Sequence, residues 1–80
     1  EEGNWIRLFE NSEISYKGKF ENGKKSGSWI AFYYNGQLKY KGNYKNGTKD
    51  GYWEYFSPSG YLYKDYSGYF KNNRKVSNKI

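Results

Sequence analysis

Eighty residues carry 11 Tyr, 5 Phe and 3 Trp but neither Cys nor His, which excludes disulfides, thiolate metal sites and any chemistry that turns on an imidazole. A chain this short makes one small domain with a marginal core. Its net charge of +6 admits anionic partners without choosing among them, and its longest apolar run is far too short to span a bilayer.

The predicted elements are all strands. The first covers residues 6–9. Residues 16–20, Tyr-Lys-Gly-Lys-Phe, alternate large and polar side chains around Gly18, the two-residue period of a half-buried strand. Asn22-Gly23 is a hairpin signal, because both residue types tolerate positive φ. Residues 29–34 make an aromatic-rich strand that ends at the turn Asn35-Gly36, and residues 39–45 alternate around Gly42. Asn46-Gly47 turns the chain again, with a loop expected to widen as far as Gly51. Residues 53–56 follow, then the turn Ser57-Pro-Ser-Gly60, then a sixth strand over 66–71. Nothing has the 3.6-residue period of a helix.

The chain repeats itself. Residues 16–39, YKGKFENGKKSGSWIAFYYNGQLK, align without a gap on residues 40–63, YKGNYKNGTKDGYWEYFSPSGYLY, a period of 24. Tyr16 meets Tyr40, Gly18 meets Gly42, and Gly23 meets Gly47. Gly27 meets Gly51, Trp29 meets Trp53, and Gly36 meets Gly60. The ends are partial copies. Residues 3–18 echo 27–42, with Trp5 at the Trp position and Ser12 in place of the turn glycine. After Lys64 and Asp65, which read as an insertion, Tyr66 and Gly68 restart the motif, with Asn73 and Ser77 replacing glycines. The division is one module over 1–80: a partial repeat 3–15, repeats 16–39 and 40–65, and a partial repeat 66–80. Atypical end repeats are expected of such an array. The opening residue is Glu1 rather than Met, which is expected of a trimmed or mature fragment.

Alternation assigns the faces. One face is expected to hold Trp5, Tyr16, Gly18, Phe20, Trp29, Tyr33, Leu38, Tyr40, Gly42, Tyr44, Trp53, Tyr55, Tyr66, Gly68 and Phe70. A glycine inside a strand marks a close approach, so a cross-strand Trp or Tyr is expected to lie flat over the missing side chain. The other face is expected to hold Ile30, Phe32, Tyr34, Tyr52, Glu54 and Phe56 among Lys17, Lys19, Lys39, Lys41 and Lys45, whose stems can lie along rings while the ammonium groups stay wet.

The pattern YxG-x-F/Y-x-NG-xxx-G-x-W, followed by a second glycine turn, resembles the MORN repeat. It is closest to the bacterial variant found in proteins labelled antitoxins of a YwqK-like family. The match rests on Tyr16, Gly18, Asn22, Gly23, Gly27, Trp29 and Gly36, and again on Tyr40, Gly42, Asn46, Gly47, Gly51, Trp53 and Gly60. It extends over about residues 3–73. The resemblance implies an all-β fold, an elongated single-layer antiparallel meander of stacked hairpins with about six strands. It also implies a scaffold for protein association or self-association, antitoxin-like capture of a toxin, and an exported or envelope-associated bacterial setting.

Three chemical readings stand beside that resemblance. The lysines Lys17, Lys19, Lys39, Lys41 and Lys45 are candidate anion-binding groups for lipid or a surface polymer, or simply a solvated face that discourages aggregation. Single-stranded nucleic acid would also use aromatics among cations, and ranks last. The ring row is either a recognition surface or rings packed on glycine. Because a single layer cannot bury both faces, exposed rings favour a protein partner. Glu54 among rings is an isolated carboxyl whose simplest partner is Lys41 or Lys45. No nucleophile–base pair, phosphate loop, metal cluster or cofactor motif stands out, so a non-catalytic module is expected.

Overall fold

A computed structural model describes residues 3–77; the first two and last three positions of the 1–80 module lie outside the described residues. Seven strands run β1 (Gly3–Leu8), β2 (Ile14–Glu21), β3 (Lys24–Phe32), β4 (Leu38–Lys45), β5 (Thr48–Tyr55), β6 (Gly68–Lys71) and β7 (Arg74–Ser77). They lie side by side in chain order in one antiparallel sheet, within extents of 36 × 35 × 12 Å. The protein is therefore an all-β meander one layer thick, as the alternating patterns predict. Where the prediction had six strands there are seven, because the end repeat folds back once more at Asn72-Asn73.

Two kinds of turn alternate, and both are local chemistry. At Asn46-Gly47 the φ angles are 52° and 85°, the doubly positive pair that matches the twist of antiparallel strands and closes a hairpin in two residues. The same turn occurs at Asn22-Gly23 and, with Asn standing in for Gly, at Asn72-Asn73. The expected wide loop up to Gly51 is thus absent: β5 starts at Thr48 immediately after the turn. At the other sheet end, Phe9, Tyr33 and Ser57 each donate a backbone N–H to the carbonyl four residues on, at 2.8 Å in all three cases. The Asn11 and Asn35 side chains each accept a backbone N–H two residues on, and the Ser57 hydroxyl accepts from Ser59 and Tyr61. These Asx- and Ser-type turns end β3 at Phe32, two residues earlier than predicted.

Gly51 is instead a bulge inside β5, at φ 84°. Lys41 pairs with Glu54 and Asn43 with Asp50, so three residues, 51–53, oppose Gly42 alone. Lys17 and Lys19 pair with Ile30 and Ser26 in the same way around Gly18. Such bulges re-aim side chains; here they swing Trp29 and Trp53 diagonally onto the two glycines. The sixth strand begins at Gly68 rather than Tyr66. The inserted Lys64 and Asp65 make a turn held by the N–H groups of Tyr66 and Ser67 on the Tyr63 carbonyl, and the buried Ser67 hydroxyl accepts the Tyr55 N–H at 2.9 Å.

Among the described residues the buried hydrophobic core is Trp29, Ala31 and Trp53. A Cβ on Gly18 would lie 2.0 Å from Trp29 Cδ2, and one on Gly42 would lie 2.0 Å from Trp53 Cδ2, so each indole lies against bare backbone. Each also anchors its N–H: Trp29 Nε1 donates to the Lys19 carbonyl at 3.1 Å and Trp53 Nε1 to the Asn43 carbonyl at 2.9 Å. That satisfies the one polar atom of a buried Trp.

Candidate functional site

The two faces of the sheet are chemically different. Residues opposite each other in register share a face, so Tyr16, Ala31, Tyr40 and Tyr55 form one row. Around it the rings interlock. Phe20 and Tyr44 meet Trp29 edge-on at 5.4 and 6.0 Å between centroids, and Tyr44 meets Trp53 at 5.0 Å. Tyr16 and Tyr40 tilt over Trp29 and Trp53 respectively. Tyr44 touches both indoles, so both lie on one side of the sheet. Burial, reinforced by neighbouring phenols, raises the Tyr40 and Tyr44 hydroxyls above their ordinary value; burial alone raises Tyr55.

Two cations cap this row, and alternation did not single them out. Lys25 Nζ lies 5.0 Å from the Trp29 ring centroid and 5.1 Å from that of Tyr44. Lys49 Nζ lies 5.2, 4.8 and 5.1 Å from Trp53, Tyr55 and Phe70 and donates to the Tyr55 hydroxyl. Burial pushes the Lys49 ammonium below its ordinary pKa. A signal for both was present in the repeat: each lysine stands four residues before its Trp, in KSGSW and KDGYW.

The restarted motif departs from its copies. Tyr66, aligned with Tyr16 and Tyr40, is 64% exposed, meets Tyr63 edge-on at 5.7 Å and lies beside Lys49, Tyr55 and Phe70. The Gly68 seat is taken by the Ser77 carbonyl oxygen, which would stand 2.3 Å from a Cβ. Of the other motif glycines, Gly23, Gly27, Gly36, Gly47, Gly51 and Gly60 all hold positive φ in turns or bulges.

On the opposite face, Ile6, Lys17, Ile30, Lys41 and Glu54 are successive register partners and form one row across five strands. A second row parallels it: Asn4 is paired with Lys19, Ser28 with Asn43, and Tyr52 with Tyr69. Ser28 Oγ donates to Asn43 Oδ1 at 3.3 Å, and the Tyr52 and Tyr69 rings lie 5.2 Å apart. Between the rows lie two grooves that share Ser28 and Ile30, one reaching Asn4 and Lys19, the other Asn43 and Tyr52. Their floor is backbone, since Trp5, Gly18, Trp29 and Gly42 carry nothing on this side.

The five candidate anion-binding lysines do not form one stripe. Lys17 and Lys19 line the first groove and Lys41 the second, where its Nζ lies 3.7 Å from Glu54 Oε1. Glu54 also accepts the Tyr52 hydroxyl at 3.2 Å. Lys45 ends β4 beside the Asn46-Gly47 turn. Lys39 Nζ lies 5.6 Å over the Tyr33 ring, although alternation had put these two on opposite faces. The register shift between Ala31 and Phe32 breaks the alternation there, and Tyr33 reaches across to donate its hydroxyl to the Phe56 carbonyl at 2.7 Å.

Among the described residues no cluster of three acidic side chains could hold a metal ion, and no helix is long and apolar enough to cross a membrane. Compared with protein-family models, curated proteins and solved structures, the chain matches none.

Proposed function

We propose that the chain is a non-catalytic MORN-variant repeat module that binds a protein partner, or a second copy of itself, through exposed rings and the open strand edges. The observation that carries this reading is the Tyr63–Tyr66 pair. In the two full repeats the motif tyrosine covers a tryptophan; after the insertion Tyr66 stands out at 64% exposure with Tyr63 at 40% beside it. Exposed, pre-packed tyrosines offer large contact area at low entropic cost. β1 and β7 are the edges of the sheet, with no further strand beside them among the described residues, and an open edge is a second route to association. Antitoxin-like capture of a toxin is one form of the same reading.

A second reading is a peripheral binder of anionic lipid or envelope polymer, favoured by Lys17 and Lys19, which have no acidic partner among the described residues. Salt separates the two. Charge pairing is screened within about 8–10 Å at physiological ionic strength, whereas an aromatic contact persists. The test is capture from the native cell at low and high salt, with the parent and with Tyr63→Ser/Tyr66→Ser. A partner retained at high salt and lost in the variant supports the ring reading. A partner released by salt and indifferent to the tyrosines overturns it in favour of the lysines.

A further inference from the structure

The two-row trough on the face away from the tryptophans repeats every second strand. Ile6 and Ile30 recur on one wall, with Lys17 and Lys41 between and beyond them; Asn4, Lys19, Ser28 and Asn43 form the other wall. Two strands advance about 9.6 Å in the hydrogen-bonding direction. The first wall therefore presents one isoleucine and one lysine per step of that length, facing a hydrogen-bonding wall to which Lys19 adds a second cation in the first step. It runs across the strands, so its occupant is a linear chain lying perpendicular to them.

We propose that this trough binds an extended acidic glycan with one carboxylate per disaccharide. Three features point the same way. The disaccharide of an extended β-linked chain advances by nearly the two-strand step, so successive carboxylates fall beside Lys17 and Lys41. A sugar ring has an apolar C–H face and a hydroxyl rim, matching the isoleucine wall and the Asn–Ser wall. The charge is complementary at the first groove, where Lys17 and Lys19 have no acidic partner among the described residues. At the second, Lys41 is 54% exposed and only 3.7 Å from the half-buried Glu54, whose carboxylate the Tyr52 hydroxyl also holds, so a ligand carboxylate there must take the outer, solvent side of the Lys41 ammonium. The row from Ile6 to Glu54 crosses five strands, about 19 Å, which seats two disaccharides. Sheet twist of about 20–25° per strand limits the fit beyond that length. This site goes beyond the protein-binding reading and lies on the other side of the sheet from the Tyr63–Tyr66 pair, so either reading can fail alone.

The probes are hyaluronan oligosaccharides of two, four, six and ten sugars, titrated into the whole chain by NMR and calorimetry. Neutral chitin oligosaccharides, polyglutamate and phosphatidylglycerol vesicles are the comparison ligands. Affinity is expected to rise to the tetrasaccharide and then level off, with shifts at Lys17, Ser28, Ile30 and Lys41. Lys17→Ala/Lys41→Ala is expected to weaken binding at least 10-fold, while Lys64→Ala on the insertion leaves it unchanged. All variants are checked for an unaltered near-ultraviolet circular dichroism spectrum. Absence of hyaluronan binding at millimolar concentration overturns the proposal. So does equal binding of polyglutamate, which would reduce the site to bare charge, or preference for the vesicles, which would assign it to lipid. Affinity that climbs steadily to the decasaccharide overturns the two-disaccharide register and with it the site.

Discussion

Gly42→Ala is the sharpest test of the ring-on-backbone core. In an ordinary strand this change is harmless or favourable, because Gly costs roughly 0.5–1 kcal/mol relative to Ala. Here the added methyl would lie 2.0, 2.3 and 2.5 Å from Cδ2, Cε2 and Cγ of Trp53. Carbon atoms pack at about 3.5–4.0 Å, so the indole must retreat by about 1.5 Å. It has little room to do so: its N–H is tied to the Asn43 carbonyl, Tyr40 and Tyr44 lie against it, and Lys49 caps it. Overpacking a tight site costs about 1–3 kcal/mol, and loss of the indole hydrogen bond adds about 1 kcal/mol. We expect destabilisation of about 3 kcal/mol, or about 12–24 °C in melting temperature for a domain of this size. Urea and thermal unfolding followed by circular dichroism measure it. A double-mutant cycle with Trp53→Leu, which removes most of the ring, should recover a large part of the Gly42→Ala cost. A Gly42→Ala variant that melts at or above the parent refutes the seat as the organising contact.

Three further outcomes follow from the same geometry. Trp29→Ala and Trp53→Ala should each cost about 3–5 kcal/mol, enough to unfold a domain whose described core has three buried hydrophobic residues; a folded Trp53→Ala protein by proton NMR would contradict this. Ser12 holds φ 72° where the full repeats have glycine, and an L-residue there costs about 1–2 kcal/mol; net of glycine's own entropy cost, Ser12→Gly should raise stability by up to about 1 kcal/mol in urea titrations. Alkaline pH should weaken the fold. Tyr40, Tyr44 and Tyr55 are raised above their ordinary 10.0, so above pH 10 the unfolded chain ionises first, and their contribution, complete below pH 10, is lost as pH climbs. Lys49, lowered from 10.5, acts in the opposite sense, its burial penalty fading as it deprotonates below that value. Stability measured by urea titration should therefore be level or rising up to about pH 10, where only the Lys49 effect is felt, and should fall above about pH 10.5, where Lys49 has ceased to contribute and the phenols alone set the sign; no fall above that pH would contradict the buried phenol row.

The meander order and most of the strands are local chemistry and are read from residues in sequence, but the seventh strand and the two-residue closure at Asn46-Gly47, where a loop as wide as Gly51 is expected, are not. Asn22-Gly23 and Asn46-Gly47 carry their own positive φ preferences, and Tyr-Lys-Gly-Asn-Tyr alternates whatever surrounds it. The 24-residue repeat also pointed to glycine seats under rings, because Gly18 and Gly42 recur at a fixed spacing from Trp29 and Trp53. What only the assembled sheet decided was register. The bulges at Gly27 and Gly51 set three residues against one, and that offset carries each indole diagonally onto its glycine and leaves Lys25 and Lys49 above the rings. The shift between Ala31 and Phe32 brings Lys39 to Tyr33; Tyr66, by contrast, lacks a tryptophan to cover because the residue thirteen positions on is Lys79, where the full repeats have Trp29 and Trp53. Alternation fixes the face of a side chain only while pairing proceeds one residue against one; where strands slip past each other, the neighbour across the sheet determines what each residue touches.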